Sequence, residues 1–205
     1  MPLPVETPRK RVTTRPHHRA YALLGAALAV VLWHDGMAAD APVAALRAAM
    51  TERLSAMPDV ARHKWNANSA IEDRAQESAV LAAAVDAGTP TGLDAEIVRR
   101  AVAAQIEAAK QVQFAVIDAL KASNAGRIGD VPDLGAILRP QIAAATTAFI
   151  QTLAAALPAL QQCETASALR SPPQVLAAYT NAWNTAADGV IAAAGGPNRA
   201  ICPAK

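Results

Sequence analysis

Residues 94–122 read DAEIVRRAVAAQIEAAKQVQFAVIDALKA, and this stretch decides the fold class. Its apolar side is built from residues three or four positions apart: Ile97, Ala101, Ala104, Ala108, Val112 and Val116. Such spacing places them along one face of an α-helix. Asp94 stands directly before this pattern, where a carboxylate can accept hydrogen bonds from the first free backbone N–H groups. The stretch predicts a long amphipathic helix over 94–122.

The composition of the whole chain extends this prediction. The 205 residues are 53% hydrophobic but only 3% aromatic, and about a quarter are alanine, the strongest helix former. No segment shows the alternation of apolar and polar residues that marks a strand. The hydrophobic content is too high for intrinsic disorder. We therefore predict an all-α, single-domain helical bundle of about five to six helices.

The other helices are predicted on either side of 94–122. Leu46, Met50, Leu54 and Met57 have helical spacing within 41–67, with a kink expected at Pro58. A second helix is predicted over 73–87, and a fourth over 133–157, with Asp133 as its N-cap. Pro172 and Pro173 precede a last helix, predicted over 173–187.

The N-terminal 39 residues have the pattern of a secretory signal peptide. Five basic residues precede an apolar run from Ala20 to Trp33, which small residues follow up to Ala39. An uncleaved anchor is the alternative. Cleavage after Ala38 or Ala39 would leave residues 40–205 as an exported domain, periplasmic or secreted. The net charge of +3 within residues 1–39 leaves −1 for the rest, so the basic balance predicts no nucleic-acid or membrane partner for the mature domain.

The chain has two cysteines, Cys163 and Cys202. An even number in an exported chain favours one disulfide, and two free buried thiols are the alternative. Three of the four histidines lie within residues 1–39, which argues against a histidine metal site in the mature domain. We expect the tail from Gly195 onward to be held only if Cys202 is bonded.

Several long polar residues recur at helical spacing against this alanine background. Arg53 and Lys64 are three helical turns apart, and Asp73 and Glu77 are one turn apart. The third helix carries Gln105, Ala109 and Gln113 at one-turn intervals. Cations, carboxylates and amides on three helices predict a site for a small polar anion. Solvated helix faces are the alternative.

The order of these residues resembles a known family. The segments are Glu52-Arg53-Leu54, Asp59 to Trp65, Ile71-Glu-Asp73, Gln76-Glu77, Gln105 to Ala108 and Lys110-Gln-Val-Gln113. This set resembles the exported, all-helical chorismate mutases of type II over residues 44–150. The resemblance extends to the two late cysteines, which that class joins as a disulfide.

The resemblance implies a unimolecular rearrangement of chorismate to prephenate that needs no cofactor and no metal. Arg53 would bind a substrate carboxylate, and Lys64 a carboxylate and the ether oxygen. Glu77 would accept a hydrogen bond from the ring hydroxyl, with Asp73 at the edge of that pocket, and Gln113 would donate to the ether oxygen. The resemblance also implies that two chains can pair as a homodimer.

Three positions depart from the family pattern. Gln76 stands where the family has an arginine, and Ala109 where it often has a small hydroxyl residue. The fourth helix should supply another arginine, but its only basic residue is Arg139, about two turns away. Two hypotheses follow from these departures: a working exported chorismate mutase, or a catalytically impaired homologue that binds a ligand or a partner.

Overall fold

The computed structural model describes the backbone of residues 34–202 and the side chains of residues 41–202. Residues from Asp35 onward group into one compact unit. Residues 1–33 of the predicted signal peptide lie outside the described residues. The two cleavage positions, Ala38 and Ala39, fall where only the backbone is described.

Seven α-helices follow one another in the described residues, which contain no strand. They are α1 (His34–Ser55), α2 (Met57–Ala67), α3 (Arg74–Gly88), α4 (Ala95–Ala122), α5 (Arg139–Ala156), α6 (Cys163–Arg170) and α7 (Thr180–Ala193). The all-α prediction is confirmed. Between residues 34 and 202, no helix is both long and apolar enough to cross a membrane.

Three helices begin at the aspartates that the sequence marks as caps. The Asp94 carboxylate accepts hydrogen bonds from the backbone N–H groups of Glu96 and Ile97 at the start of α4. Asp73 caps α3 in the same way, and Asp133 caps a turn of π-helix (Leu134–Leu138) that leads into α5. Each carboxylate satisfies N–H groups that have no partner within the helix.

The core forms around α4, which packs against α2, α3 and α7. Its predicted stripe is buried at Ala101, Ala108 and Val112. Alanine on this stripe lets α7 approach closely: a side chain at Gly189 on α7 would clash with Ala104 on α4. Helix α4 is therefore the central element of the bundle. The site forms on the side of α4 that faces α2 and α3.

The boundaries of two predicted helices differ from the structure. The segment 41–67 is divided into α1 and α2 at Ala56, because Pro58 has no N–H group and its ring would clash with the carbonyl of Leu54 in a continuous helix. The segment 173–187 begins as a 3-10 helix (Gln174–Tyr179), and α7 continues to Ala193. The short helix α6 was not predicted.

The disulfide is present between Cys163 and Cys202, with their Cα atoms 5.2 Å apart. The disulfide is not the only contact of the tail. Arg170 on α6 is 3% exposed and donates hydrogen bonds to the backbone carbonyls of Cys202 and Pro197. It also forms an ion pair of 2.8 Å with Asp188, which Arg199 contacts from the tail. An ionic cluster around the buried Arg170 therefore anchors the tail in addition to the disulfide.

Candidate active site

A cavity of about 250 Å³ lies between α2, α3, α4 and α5, next to the last turn of α1. Much of its wall is apolar, with Met57, Val60 and Val80 among the lining residues. The structure brings all eight predicted site residues to this wall: Arg53, Lys64, Asp73, Gln76, Glu77, Ala109, Gln113 and Arg139. All of these residues come from one chain.

Arg53 is buried in the wall, with 4% of its surface exposed. It donates from Nη1 to the backbone carbonyl of Gln105 at 2.8 Å and from Nε to the Thr146 hydroxyl at 3.3 Å. Burial lowers the pKa of its guanidinium to about 10, which leaves it charged at neutral pH. No carboxylate of the described residues pairs with it, so its charge is available to a ligand.

Lys64 reaches the cavity from α2, although the break at Ala56 separates its helix from that of Arg53. Its Nζ donates to the backbone carbonyl of Ile71, in the loop that leads to α3. Burial lowers the pKa of Lys64, while the negative charges of Asp73 and Glu77 oppose that shift. The ammonium is thus partly desolvated, which strengthens its attraction to a substrate anion.

Glu77 projects from the first turn of α3 and meets a cation from the facing helix α4. The Nζ of Lys110 lies 3.7 Å from Glu77 Oε2 and 2.6 Å from Glu107 Oε1. The hydrogen bond with Glu107 raises the pKa of Lys110. Gln76 lines the cavity beside Glu77, and its backbone N–H donates to the Asp73 cap.

Helix α4 contributes a methyl group and an amide to the wall. Ala109 and Gln113 both line the cavity, whereas Gln105 lies behind it and positions Arg53 through its backbone carbonyl. Gln113 donates from Nε2 to the carbonyl of Ala109 and to Met57 Sδ, and its Oε1 has no partner among the described residues. To donate to a ligand, Nε2 of Gln113 would have to give up one of these two contacts.

Helix α5 contributes two threonine hydroxyls and a single cation to the wall. Thr146, Thr147 and Ala143 line its middle turns, and the Thr146 hydroxyl donates to the Ile142 carbonyl while it accepts from Arg53. Arg139 lines the cavity from the first residue of α5, and its side chain forms no hydrogen bond or ion pair with the described residues. The positive charge of Arg139 contributes to the lowered pKa of Lys64, and both side chains line the same cavity.

Sequence reasoning missed Lys110, the Ile71 carbonyl and the hydroxyl of Thr146. Lys110 could have been recognised, because it precedes Gln113 by three residues and therefore lies on the same side of α4. The roles of Ile71 and Thr146 depend on which helices pack together. No local pattern in the sequence predicts that packing.

The charges of the wall indicate the class of ligand. Four cations, Arg53, Lys64, Lys110 and Arg139, face two carboxylates, Asp73 and Glu77. Residues 34–202 contain no cluster of histidine, cysteine and acidic side chains that could hold a metal ion. The fold and the cavity together define a helical bundle protein with a cationic pocket for a small anionic molecule.

Part of the chain is similar to the all-helical chorismate mutases. Residues 44–114 match the family described as chorismate mutase type II. A secreted chorismate mutase of Yersinia pestis is 42% identical over 65 residues, which cover 32% of this chain and 35% of that protein. The similarity therefore spans about a third of the curated relative's length.

Two solved structures have a similar fold. The chorismate mutase from Burkholderia thailandensis has a TM-score of 0.64 and 27% identity, covering 73% of this chain and 98% of that chain. The chorismate mutase from Burkholderia phymatum has a TM-score of 0.64, covers 78% of this chain and 98% of that chain, and at 23% identity shows likeness of fold alone. The structural likeness thus extends well beyond residues 44–114.

Proposed function

We propose that this chain is a chorismate mutase, an isomerase that rearranges chorismate to prephenate. The observation that carries the proposal is the convergence of Arg53, Lys64, Glu77 and Gln113 on one cavity. All four residues lie within the segment that matches the family. The names of the relatives point to the same reaction.

In this reaction an ether C–O bond breaks while a C–C bond forms within one molecule. The protein therefore has to hold a flexible dianion in its reactive shape and stabilise the negative charge that grows on the ether oxygen. Arg53 would bind a carboxylate through its guanidinium, which has no carboxylate partner among the described residues. Lys64 would contact a carboxylate and the ether oxygen from its partly desolvated position.

Carboxylate and amide groups complete the proposed site. Glu77 would accept a hydrogen bond from the ring hydroxyl, and Asp73 borders that part of the cavity. Gln113 would donate from Nε2 to the ether oxygen in exchange for one of its present contacts. Purified protein should therefore convert chorismate to prephenate, and the absence of turnover at high enzyme concentration would refute the proposal.

Gln76→Arg is expected to raise kcat/KM for chorismate about tenfold or more. Gln76 lines the cavity with a neutral side chain, and a charged hydrogen bond contributes about 1.5–3 kcal/mol. The Asp73 cap would survive, because it uses the backbone N–H of residue 76. Steady-state kinetics of the variant beside the wild type provide the measurement.

Gln151→Arg is a matched control, since this exposed residue of α5 lies outside the cavity. It adds the same charge and should leave kcat/KM unchanged. An increase in both variants would indicate a general charge effect instead of a contact at position 76.

A second candidate function is binding without catalysis. Gln76 on α3 and the uncharged middle turns of α5 favour it, because two walls contribute less positive charge than the family pattern implies. This hypothesis predicts no turnover in the wild type or in Gln76→Arg, together with measurable binding of chorismate. Restored activity in Gln76→Arg alone would identify an enzyme whose catalysis has been impaired by this substitution.

We also propose that the protein is exported and that residues 1–39 are removed. The basic and apolar pattern before Trp33, the small residues before Asp40 and the secreted relative support this proposal. N-terminal sequencing of the protein recovered from outside the cytoplasm should begin at Ala39 or Asp40. Recovery of the intact N-terminus in the membrane fraction would instead support an uncleaved anchor.

A further inference from the structure

Lys110 occupies a position in the cavity wall to which neither the family resemblance nor the sequence pattern assigns a role. It lies on α4 between Ala109 and Gln113 and faces Glu77 across the α3–α4 boundary. Its side chain is only 16% exposed. A lysine on this part of a helix would ordinarily extend into solvent, whereas Lys110 lies against the cavity wall.

Lys110 also changes the charge balance of the wall. Without Lys110, three cations would face two carboxylates, an excess of one positive charge for a ligand that carries two negative charges. With Lys110 the excess is two, which matches a dianion. Arg53 is anchored towards α4 and α5, and Lys64 towards the loop before α3. Lys110 adds a cation on α4, where the lining residues Ala109 and Gln113 contribute no charge.

The contacts of Lys110 allow it to reach a ligand. Its shortest ion pair is with Glu107, which is 58% exposed and lies outside the cavity. Because Glu107 is largely solvated, this pair contributes little free energy and is readily exchanged for a less solvated anion. Glu77, the other partner, lies 3.7 Å away and also lines the cavity, so a small rotation would bring Nζ to a carboxylate bound next to Glu77.

We propose that Lys110 binds a carboxylate of the substrate and thereby replaces the charge that Gln76 does not supply. This inference rests on the proposed function, since the substrate is taken to be a small dicarboxylate. Lys110 is a substrate-binding residue in this scheme, and it also keeps Glu77 paired before the ligand enters.

The test is Lys110→Met, measured by titration calorimetry with prephenate, a dianion of the same class that the enzyme does not consume. We expect the Kd for prephenate and the KM for chorismate to rise about tenfold or more, with a smaller change in kcat. Lys110→Arg should restore both to near the wild-type values, because it returns the positive charge.

Lys121→Met is the matched control. Lys121 lies on the same helix and pairs with Asp118 three residues earlier, as Lys110 pairs with Glu107, but it is 66% exposed and outside the cavity. It should change neither constant. Lys110→Gln, which keeps a polar end, gives the same comparison if the methionine variant folds poorly.

The outcomes separate this inference from the proposed function. A folded Lys110→Met variant whose Kd and KM stay within twofold of the wild type would overturn the role of Lys110 alone. A wild type that binds prephenate without turning over chorismate would overturn the proposed enzyme, and a raised Kd in Lys110→Met would still support the inference. A wild type that neither binds nor turns over would overturn both.

Discussion

Lys64→Met is expected to lower kcat/KM for chorismate by about a thousandfold. A preorganised donor to an oxygen that gains charge in the transition state contributes about 10²–10³ in rate. Lys64 is such a donor in the proposed site, and its ammonium would also hold a substrate carboxylate. Methionine has a similar length but no charge, so the variant removes the interaction with little change in packing. Steady-state kinetics at saturating and limiting chorismate provide the measurement.

Arg62→Met is the control for this variant. Arg62 lies on the same helix two residues earlier, outside the cavity, and pairs with Asp59 at 2.6 Å. It should keep kcat/KM within about twofold, because an exposed pair contributes little. If Lys64→Met keeps its melting temperature and loses less than tenfold in kcat/KM, Lys64 does not stabilise the transition state.

Removal of the disulfide is the second large effect that we expect. The double variant Cys163→Ser, Cys202→Ser should lose about 4 kcal/mol of unfolding free energy, since the bond closes a loop between residues 39 positions apart. The loss is expected because the disulfide lowers the conformational entropy of the unfolded chain. Denaturant unfolding of the variant and of the wild type would measure the difference.

Activity should survive the same double variant at moderate temperature. Neither cysteine lines the cavity. Arg170 still holds the tail through the carbonyls of Pro197 and Cys202, and Arg199 of the tail still pairs with Asp188 on α7. Reduced wild-type protein serves as the control and should unfold at the same denaturant concentration as the variant. A loss below about 1 kcal/mol would mean that the ionic cluster, and not the disulfide, secures the tail.

Local features of the sequence accounted for most of the fold. The helices at 73–87 and 94–122 and their caps were predictable, because a 3.6-residue period and an aspartate before the first turn act within a few residues. The break before Met57 was predictable from Pro58. Helix α6 was not, since its eight residues are too few to establish a period.

The cavity wall was only partly predictable, for a physical reason. Eight of its residues were proposed from their order and spacing, but Lys110 and Thr146 were not. Thr146 contacts Arg53, which is 93 positions away in the chain. Such a contact depends on how α1 and α5 cross, and that angle is set by the fit of many side chains in the core.

The sequence alone therefore specified helices, caps, one pair of cysteines and a set of polar residues with family spacing, because each depends on residue type and local period. Only the tertiary structure decided that these residues share one cavity and that Arg170 anchors the tail. It also decided that Lys110 lies in the cavity wall, 3.7 Å from Glu77. These outcomes depend on helix packing, which brings together charges that are distant in sequence and sets how much water each of them retains.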